Sequence, residues 1–215
     1  RIRGPSLPMS PPTSLETRME RWHAALADCP VVTILRGITP PEALPVARAL
    51  VAAGIRIVEV PLNSPQALES IRLLAASLPE EVVVGAGTVL VSNDVDRVAE
   101  AGGALVVSPN MDEEVIKRTK ALGLISLPGV ATPTEAFAAL RHGADGLKAF
   151  PGEQLPPKII KAWRAVLPKD TCLLPVGGVT TDNMLAYWTA GASGFGVGTS
   201  LYKAGDSAQE AASKA

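Results

Sequence analysis

The sequence predicts an α/β protein of the (β/α)8 TIM-barrel type, folded as a single domain. From residue 31 onward, short runs rich in β-branched residues alternate with amphipathic helical segments, and glycine or proline marks most of the joints. Eight such units follow one another without long structureless loops, as expected for a parallel barrel. The chain has 215 residues, 47% of them hydrophobic, and can therefore bury one sizeable core.

The strands and helices can be placed in order along the chain. The predicted strands are 31–36, 55–60, 81–86, 104–108, 124–127, 145–150, 172–176 and 194–198. Helical segments at 40–54, 92–102, 112–123 and 132–143 begin near proline, serine, aspartate or threonine and end at glycine, as helices commonly do. Residues 205–215 are predicted to form a short last helix. The alternative is a doubly wound open sheet, but no G-x-G-x-x-G motif follows the first strand.

Composition restricts the classes of partner. The net charge is −1 and no basic stripe is present, which disfavours nucleic acid and favours a small-molecule partner. No apolar run is long enough for a membrane span or a secretory signal, so we expect a cytoplasmic protein with Cys29 and Cys172 reduced. Residues 1–14 are rich in proline and serine and are expected to form a flexible N-terminal tail or an expression remnant, which leaves 15–215 as the barrel domain.

Lys148 lies within a predicted strand, in the stretch "DGLKAFPG", whereas the other lysines fall on helices, in a loop or near the C-terminus. Side chains alternate along a strand, so Gly146, Lys148 and Phe150 share one face and Leu147 and Ala149 the other. If Leu147 and Ala149 face the helices, Lys148 points into the barrel mouth, where loss of solvent lowers the pKa of its amine. The alternative is a lysine neutralised by a buried carboxylate.

Glu59 is the carboxylate that the same reasoning places in the mouth. It comes just before the proline that ends the strand in "IVEVPLNSP" and shares a face with Ile55 and Ile57. An amine that can form an imine and a carboxylate that can move protons are the minimum for Schiff-base chemistry on a carbonyl substrate. A simple Lys148–Glu59 ion pair is the alternative reading.

Further polar groups lie at the carboxyl ends of the strands, where barrels of this type place their sites. Arg36 ends the first strand and could hold a carboxylate or phosphate, or could act as a structural cation. Thr88 closes the third strand in "GAGT". The loops "PVGGVTTDN" and "GVGTSLY" follow the last two strands and could bind a phosphate through backbone N–H groups, or could simply form tight turns.

The histidines do not predict a metal site. His23 lies in the N-terminal helical segment and His142 at a helix end, and neither accompanies a spaced cluster of carboxylates. We therefore expect no catalytic metal.

Taken together, several motifs resemble one enzyme family. "ILRGITPPEAL", "EVPLNSP", "GAGTVL", "SPN", "LPG", "LKAFP" and "VGGVT" occur in the order and spacing of the class I aldolases that cleave 2-keto-3-deoxy-6-phosphosugar acids. The resemblance spans about residues 25 to 205. "LNSP" and "ILRG" are more similar to the 2-dehydro-3-deoxy-6-phosphogalactonate branch than to the phosphogluconate (KDPG) branch, in which an arginine-containing stretch usually follows the glutamate.

The resemblance implies a (β/α)8 homotrimer that needs neither a metal nor an organic cofactor and yields pyruvate and D-glyceraldehyde 3-phosphate. It makes Lys148 the Schiff-base lysine and Glu59 the general acid/base. It further implies that Arg36 and Thr88 contact the substrate carboxylate and that Pro109 and Phe150 line the pyruvyl pocket. The phosphate would be held by Gly177, Gly178, Gly198, Thr199 and Ser200.

Other functions remain open at this point. A KDPG aldolase would use the same mechanism on the C4 epimer. A phosphosugar-binding barrel without catalysis, and an isomerase or synthase in which Lys148 only neutralises a carboxylate, would use the same fold without a Schiff base.

Overall fold

The computed structural model describes residues 14–215, in which short parallel strands alternate with helices. The predicted tail at 1–14 lies outside the described residues except for Ser14, which caps the first helix. The strands are β1 (Val31–Ile34), β2 (Ile57–Pro61), β3 (Val83–Gly87), β4 (Leu105–Val107), β5 (Ile125–Leu127), β6 (Gly129–Val130), β7 (Gly146–Ala149), β8 (Cys172–Pro175) and β9 (Phe195–Val197).

The helices fall between these strands, and most begin where the sequence offers a cap. They are α1 (Leu15–Asp28), α2 (Pro40–Ala52), α3 (Ala67–Ser77), α4 (Ser92–Glu100), α5 (Glu113–Ala121), α6 (Pro133–Arg141), α7 (Pro157–Arg164), α8 (Thr181–Thr189) and α9 (Ala208–Lys214). Capping boxes begin α2, α6, α8 and α9. Among the described helices, none is long and apolar enough to cross a bilayer.

All of the strand pairings are parallel and are distributed over two sheets. One sheet has the order β5-β4-β3-β2-β1-β9 and the other the order β6-β7-β8. A doubly wound sheet would reverse its order after the first strands, whereas here the strands lie side by side in chain order and β9 pairs with β1. The observed architecture is therefore an α/β fold of sequentially ordered parallel strands.

Backbone contacts link the two sheets at both edges. Val176, just after β8, forms a single parallel bridge with Gly196 of β9. At the other edge, the N–H of Asp145 donates to the carbonyl of Ser126 at 3.0 Å, and the N–H of Lys148 donates to the carbonyl of Pro128 at 2.9 Å.

All eight predicted strands are present, and most are shorter at their ends than the sequence indicated. The one addition is β6, which follows β5 after Pro128. Proline has no N–H to give to a ladder, so a continuous strand divides at this residue. The predicted last helix is also present, as α9, and Cys29 and Cys172 are both free thiols.

The apolar residues form two clusters on opposite sides of the strands. The larger cluster joins the outward faces of the strands to α2 and to the other helices, and it includes Leu147 and Ala149 of β7. The smaller cluster lies on the inward faces of the strands and contains Trp22 of α1, which is 0% exposed. Two charged side chains interrupt the inward apolar surface, Glu59 of β2 and Lys148 of β7, and both are buried.

Candidate active site

Lys148 and Glu59 line one small cavity at the carboxyl ends of the strands. Lys148 is 6% exposed and Glu59 is 2% exposed. The cavity has a volume of ≈ 10 Å³, which is room for about one water molecule. The remaining lining residues are Val32, Ile34, Val107, Leu127, Leu174, Val176 and Gly196.

Alternation along β7 explains why the lysine faces this cavity. Leu147 and Ala149 are fully buried in the cluster shared with the helices, so the residue between them must point inward. The Nζ of Lys148 lies 4.6 Å from the ring centroid of Phe150, two residues further along the same face. The predicted orientation of Lys148 is confirmed.

The surroundings of Lys148 favour the neutral amine. Burial removes water from the ammonium and lowers its pKa below the ordinary lysine value. Glu59 opposes this shift because a nearby negative charge stabilises the ammonium, whereas the Arg36 guanidinium adds to it. The net direction is downward, toward the range in which a free amine can attack a carbonyl.

The pKa of Glu59 shifts in the opposite direction, upward. Burial raises its pKa to about 7, although Lys148 and Arg36 both act in the opposite direction. Its Oε2 atom is buried and has no hydrogen-bond partner among the described residues. A carboxyl group with a pKa near neutrality can both accept and donate a proton under ordinary conditions.

Gly87 makes room for this carboxylate. A Cβ added at Gly87 would lie 1.6 Å from Oε2 of Glu59, a distance at which the two atoms would overlap. Gly87 pairs with Pro61 across β2 and β3, two positions beyond Glu59. Gly87, the second glycine of "GAGT", thus leaves the space that the Glu59 carboxylate occupies, a role that the sequence analysis did not assign.

No carboxylate neutralises Lys148 directly. Of the ion pairs formed within residues 14–215 at up to 4.0 Å, none includes Lys148 or Glu59. The described residues thus show no direct Lys148–Glu59 ion pair, although Glu59 still acts electrostatically on the amine. The two groups share one enclosed space and influence each other's pKa across it.

Arg36 and Thr88 follow β1 and β3, the two strands that flank β2 in the larger sheet. Arg36 follows β1 and is exposed, and its Nη1 donates to Oδ1 of Asn63 at 2.7 Å. Thr88 follows β3 and has a backbone φ of 55°, a left-handed conformation that is unusual for a β-branched residue. Asn63 is a second residue that the sequence analysis missed, because its contact is with another loop.

The two glycine-containing loops lie next to each other. The Oγ of Ser200 donates to the carbonyl of Val179 at 3.0 Å and so joins the loop after β9 to the loop after β8. The backbone N–H groups of Gly177, Gly178, Thr199 and Ser200 have no acceptor within residues 14–215. Gly198 begins the second turn, and its carbonyl accepts from the N–H groups of Leu201 and Tyr202. The first glycine pair also leaves space for the side chain of Glu153.

Pro109 and Phe150 each lie just after the carboxyl end of a strand. Pro109 follows β4, and its carbonyl would be 2.2 Å from a Cβ on Gly129, so the two backbones are in close contact. Phe150 follows β7 beside Lys148. The apolar lining residues, among them Val107, Leu174 and Val176, were not predicted, because inward apolar positions are common to every strand of such a fold.

Within residues 14–215, no group of three or more histidine, cysteine, aspartate or glutamate residues could hold a metal ion.

Comparison with known proteins identifies related chains. The model of the KDPG and KHG aldolase family matches residues 23–213. The 2-dehydro-3-deoxy-6-phosphogalactonate aldolase of Escherichia coli is 45% identical over 91% of this chain and 94% of its own length. A probable enzyme of the same name from Rhizobium meliloti is 46% identical over 92% of this chain and 93% of its own. The KHG/KDPG aldolase of Escherichia coli is 32% identical over 79% of this chain and 81% of its own.

Solved structures are similar over nearly the same region. One described as "Native KDPGal structure" has a TM-score of 0.84 and 46% identity, and the match covers 86% of this chain and 90% of that chain. A designed cage built "by fusing symmetric oligomeric domains" has a TM-score of 0.85 and 46% identity, over 86% of this chain and 69% of that chain.

Proposed function

The chain belongs to the KDPG and KHG aldolase family, and from this premise we propose that it cleaves 2-dehydro-3-deoxy-6-phosphogalactonate to pyruvate and D-glyceraldehyde 3-phosphate. The reaction is reversible and proceeds through a Schiff base on Lys148. The choice of substrate is supported by the names of the two relatives at 45% and 46% identity, each aligned over more than nine-tenths of this chain.

One observation carries the mechanism. A buried amine whose pKa is lowered by desolvation shares an enclosed cavity with a carboxyl group whose pKa is about 7. These are the two protonation behaviours that imine chemistry requires near neutral pH, since one group attacks as a free base and the other transfers protons.

The bond changes follow from these roles. The neutral amine of Lys148 adds to the C2 ketone, and the adduct takes up one proton from solvent as it loses water, which leaves a protonated imine; that proton is released again on hydrolysis. Glu59 accepts the proton of the C4 hydroxyl, directly or through one water. The C3–C4 bond then breaks, its electron pair moves into the imine to give an enamine, and the aldehyde leaves. Glu59 returns the proton to the enamine carbon, and hydrolysis releases pyruvate and the free amine.

The remaining residues bind the two ends of the substrate. We assign the carboxylate to Arg36 and Thr88, because the guanidinium can form a planar, charge-assisted pair with it. The phosphate goes to the backbone N–H groups of the loops after β8 and β9, with Gly177, Gly178, Gly198, Thr199 and Ser200 as its contacts. Pro109 and Phe150 bound the pyruvyl group. Binding at both ends fixes the scissile bond between Lys148 and Glu59.

We also propose that the two sheets close into one (β/α)8 barrel and that the chain forms a homotrimer. Closure is supported by the Val176–Gly196 bridge on one side and by the backbone bonds of Asp145 and Lys148 on the other. The trimer is supported by the similarity to a protein whose domains are described as symmetric oligomers. Light scattering checks it, since a trimer has three times the 22.3 kDa mass of the chain.

Borohydride trapping with pyruvate tests the mechanism. We expect the wild-type protein to gain a reduced pyruvyl group on Lys148, located by peptide mass spectrometry. Lys148→Met keeps the volume of the side chain but removes the amine, so it should gain no adduct and should lose turnover. Lys158→Met, at an exposed helix position, is the matched control and should react as the wild type does. A wild-type protein that stays unmodified would contradict the proposal.

The substrate assignment has its own test. The ratio of kcat/KM for cleavage of the phosphogalactonate and phosphogluconate compounds, which are epimers at C4, decides between the two branches of the family. A ratio above one supports the proposed substrate. A ratio well below one makes the chain a KDPG aldolase with the same mechanism.

A further inference from the structure

We propose that Asn63 is a positioning residue that holds the guanidinium of Arg36 in place for the substrate carboxylate. This inference rests on the proposed function and adds to it a residue with no role in that scheme. The observation behind it is the 2.7 Å hydrogen bond from Nη1 of Arg36 to Oδ1 of Asn63. The two residues belong to adjacent loops, after β1 and after β2.

The loop that carries Asn63 is itself fixed to the sheet. The N–H of Leu62 donates to the carbonyl of Gly87 at 2.8 Å, and the N–H of Ser64 donates to the carbonyl of Pro61 at 2.9 Å. Asn63 lies between these two anchored residues. Its amide therefore extends from a defined backbone, which is what a residue must have if it is to orient another side chain.

A second bond ties the two loops together beside the first. The Oγ of Ser64, which is 6% exposed, accepts from the N–H of Gly37 at 2.9 Å. Gly37 has a φ of 82°, a turn that glycine adopts readily. Ser64 therefore fixes the backbone next to Arg36, and Asn63 fixes the end of its side chain. Together they act on both ends of the arginine.

The amide is suited to this task because it is neutral. It engages one of the five N–H donors of the guanidinium and leaves the positive charge uncompensated. Among the described residues, no carboxylate lies within 4.0 Å of Arg36 to form an ion pair. An aspartate at position 63 would hold the arginine equally well but would compete with the carboxylate of the substrate.

Positioning matters because Arg36 is exposed. A free arginine samples many rotamers, and that freedom is lost when it binds a carboxylate. Asn63 removes part of this cost before the substrate arrives, so the affinity for the carboxylate rises. The effect concerns only ligands that have a carboxylate and leaves the addition of the Lys148 amine to a ketone unchanged.

The test compares two ketones by borohydride trapping, with adduct yield measured against ketone concentration. Pyruvate carries the carboxylate, and hydroxyacetone has a hydroxymethyl group in its place. For Asn63→Ala we expect the half-saturating pyruvate concentration to rise about tenfold, as for loss of a hydrogen bond to a charged group. The value for hydroxyacetone should stay within about twofold of the wild type, since no carboxylate is involved.

Two further variants separate positioning from charge and from general damage. Asn63→Asp should also weaken pyruvate binding, because its carboxylate occupies the guanidinium; wild-type affinity in this variant would overturn the argument from neutrality. Gln66→Asn is the matched control, since Gln66 lies in the same loop and bonds to Glu69 rather than to Arg36. It should bind both ketones as the wild type does.

A double-mutant cycle with Arg36→Met gives the decisive result. If Asn63 acts through Arg36, Asn63→Ala adds nothing in the Arg36→Met background. An additive effect, an equal loss for both ketones, or unchanged pyruvate affinity in Asn63→Ala overturns the inference and leaves the aldolase proposal standing. A folded wild-type protein that traps neither ketone overturns both proposals.

Discussion

At the scale of single residues, the protein places a carboxyl group with a pKa of about 7 next to an amine whose pKa is lowered. Both shifts have the same principal cause, which is burial, and both favour the uncharged form. Each group, when charged, also shifts the pKa of the other, so Lys148 and Glu59 titrate as a pair. The proposed mechanism requires one state of this pair, the neutral amine with the ionised carboxylate.

This requirement gives a pH dependence with a definite sign. Glu59 is ionised above its raised pKa, so its protonation alone should lower kcat/KM for cleavage as the pH drops below about 7, approaching tenfold per pH unit. Protonation of Lys148 also lowers the rate as the pH falls, because it removes the free amine; burial moves the pKa of this amine downward. Glu59→Gln should still form the pyruvyl adduct but should cleave substrate about 10²- to 10⁴-fold more slowly.

The measurement is the pH–rate profile of both proteins. The acid limb of the wild-type profile should show two ionisations, those of Glu59 and Lys148. The acid limb of Glu59→Gln should show only that of Lys148. Identical profiles, or wild-type turnover in the variant, would remove Glu59 from proton transfer.

The sequence predicted individual site residues where a local pattern was enough. The alternation of side chains along β7 places Lys148 inward, and the face that Glu59 shares with Ile57 in β2 does the same for Glu59. Gly87 and Asn63 could not be predicted in this way, because their partners, Glu59 and Arg36, lie in other strands and loops. Such contacts depend on the register between strands, which no single stretch of sequence contains.

At the scale of elements, helix ends were predictable because their signals are local. In α6, Oγ1 of Thr132 accepts from the N–H of Glu135 at 3.3 Å, and Oε2 of Glu135 accepts from the N–H of Thr132 at 2.8 Å. This reciprocal arrangement satisfies donors that the first turn of a helix would otherwise leave free. By contrast, the division of a strand at Pro128 into β5 and β6 was missed, since a proline also fits an ordinary loop.

The cap of α6 supports a prediction about stability. Thr132→Ala should lower the free energy of unfolding by about 1 kcal/mol and Tm by roughly 2–4 °C, because the first turn loses its side-chain acceptor. Thermal denaturation measures the change. Thr134→Ala is the matched control, an exposed threonine of the same helix with no side-chain hydrogen bond in the described part of the chain. Equal losses in both variants would show that the cap contributes nothing.

At the scale of the whole molecule, the repeated β/α period predicted parallel strands in sequential order, and this is confirmed. The closure of the strands into one ring stays a prediction, supported by the contacts at both sheet edges. The period could not predict what covers the amino ends of the strands. That role falls to α1, which precedes the first unit and packs against β3 and β5.

Trp22 is the residue through which α1 closes this end. It is 0% exposed and belongs to the inner cluster with residues such as Ile57, Leu105 and Ile125, which begin β2, β4 and β5. Lys148 and Glu59 lie at the other end of the strands. Trp22 thus packs on residues that begin the strands, whereas the cavity that contains Lys148 and Glu59 does not include Trp22.

This separation of Trp22 from the cavity can be tested with Trp22→Ala. Removing a fully buried tryptophan should cost about 3–5 kcal/mol, a large part of the roughly 5–15 kcal/mol that stabilises a typical domain. Urea denaturation measures the loss. Pyruvate trapping by the folded protein should stay within about twofold of the wild type, because Trp22 itself does not line the cavity. Trp22→Phe should cost less, since the indole N–H has no partner among the described residues. His23→Ala, exposed on the same helix, should be neutral. A Trp22→Ala protein of normal stability that fails to trap pyruvate would mean that α1 acts on the site rather than on the fold.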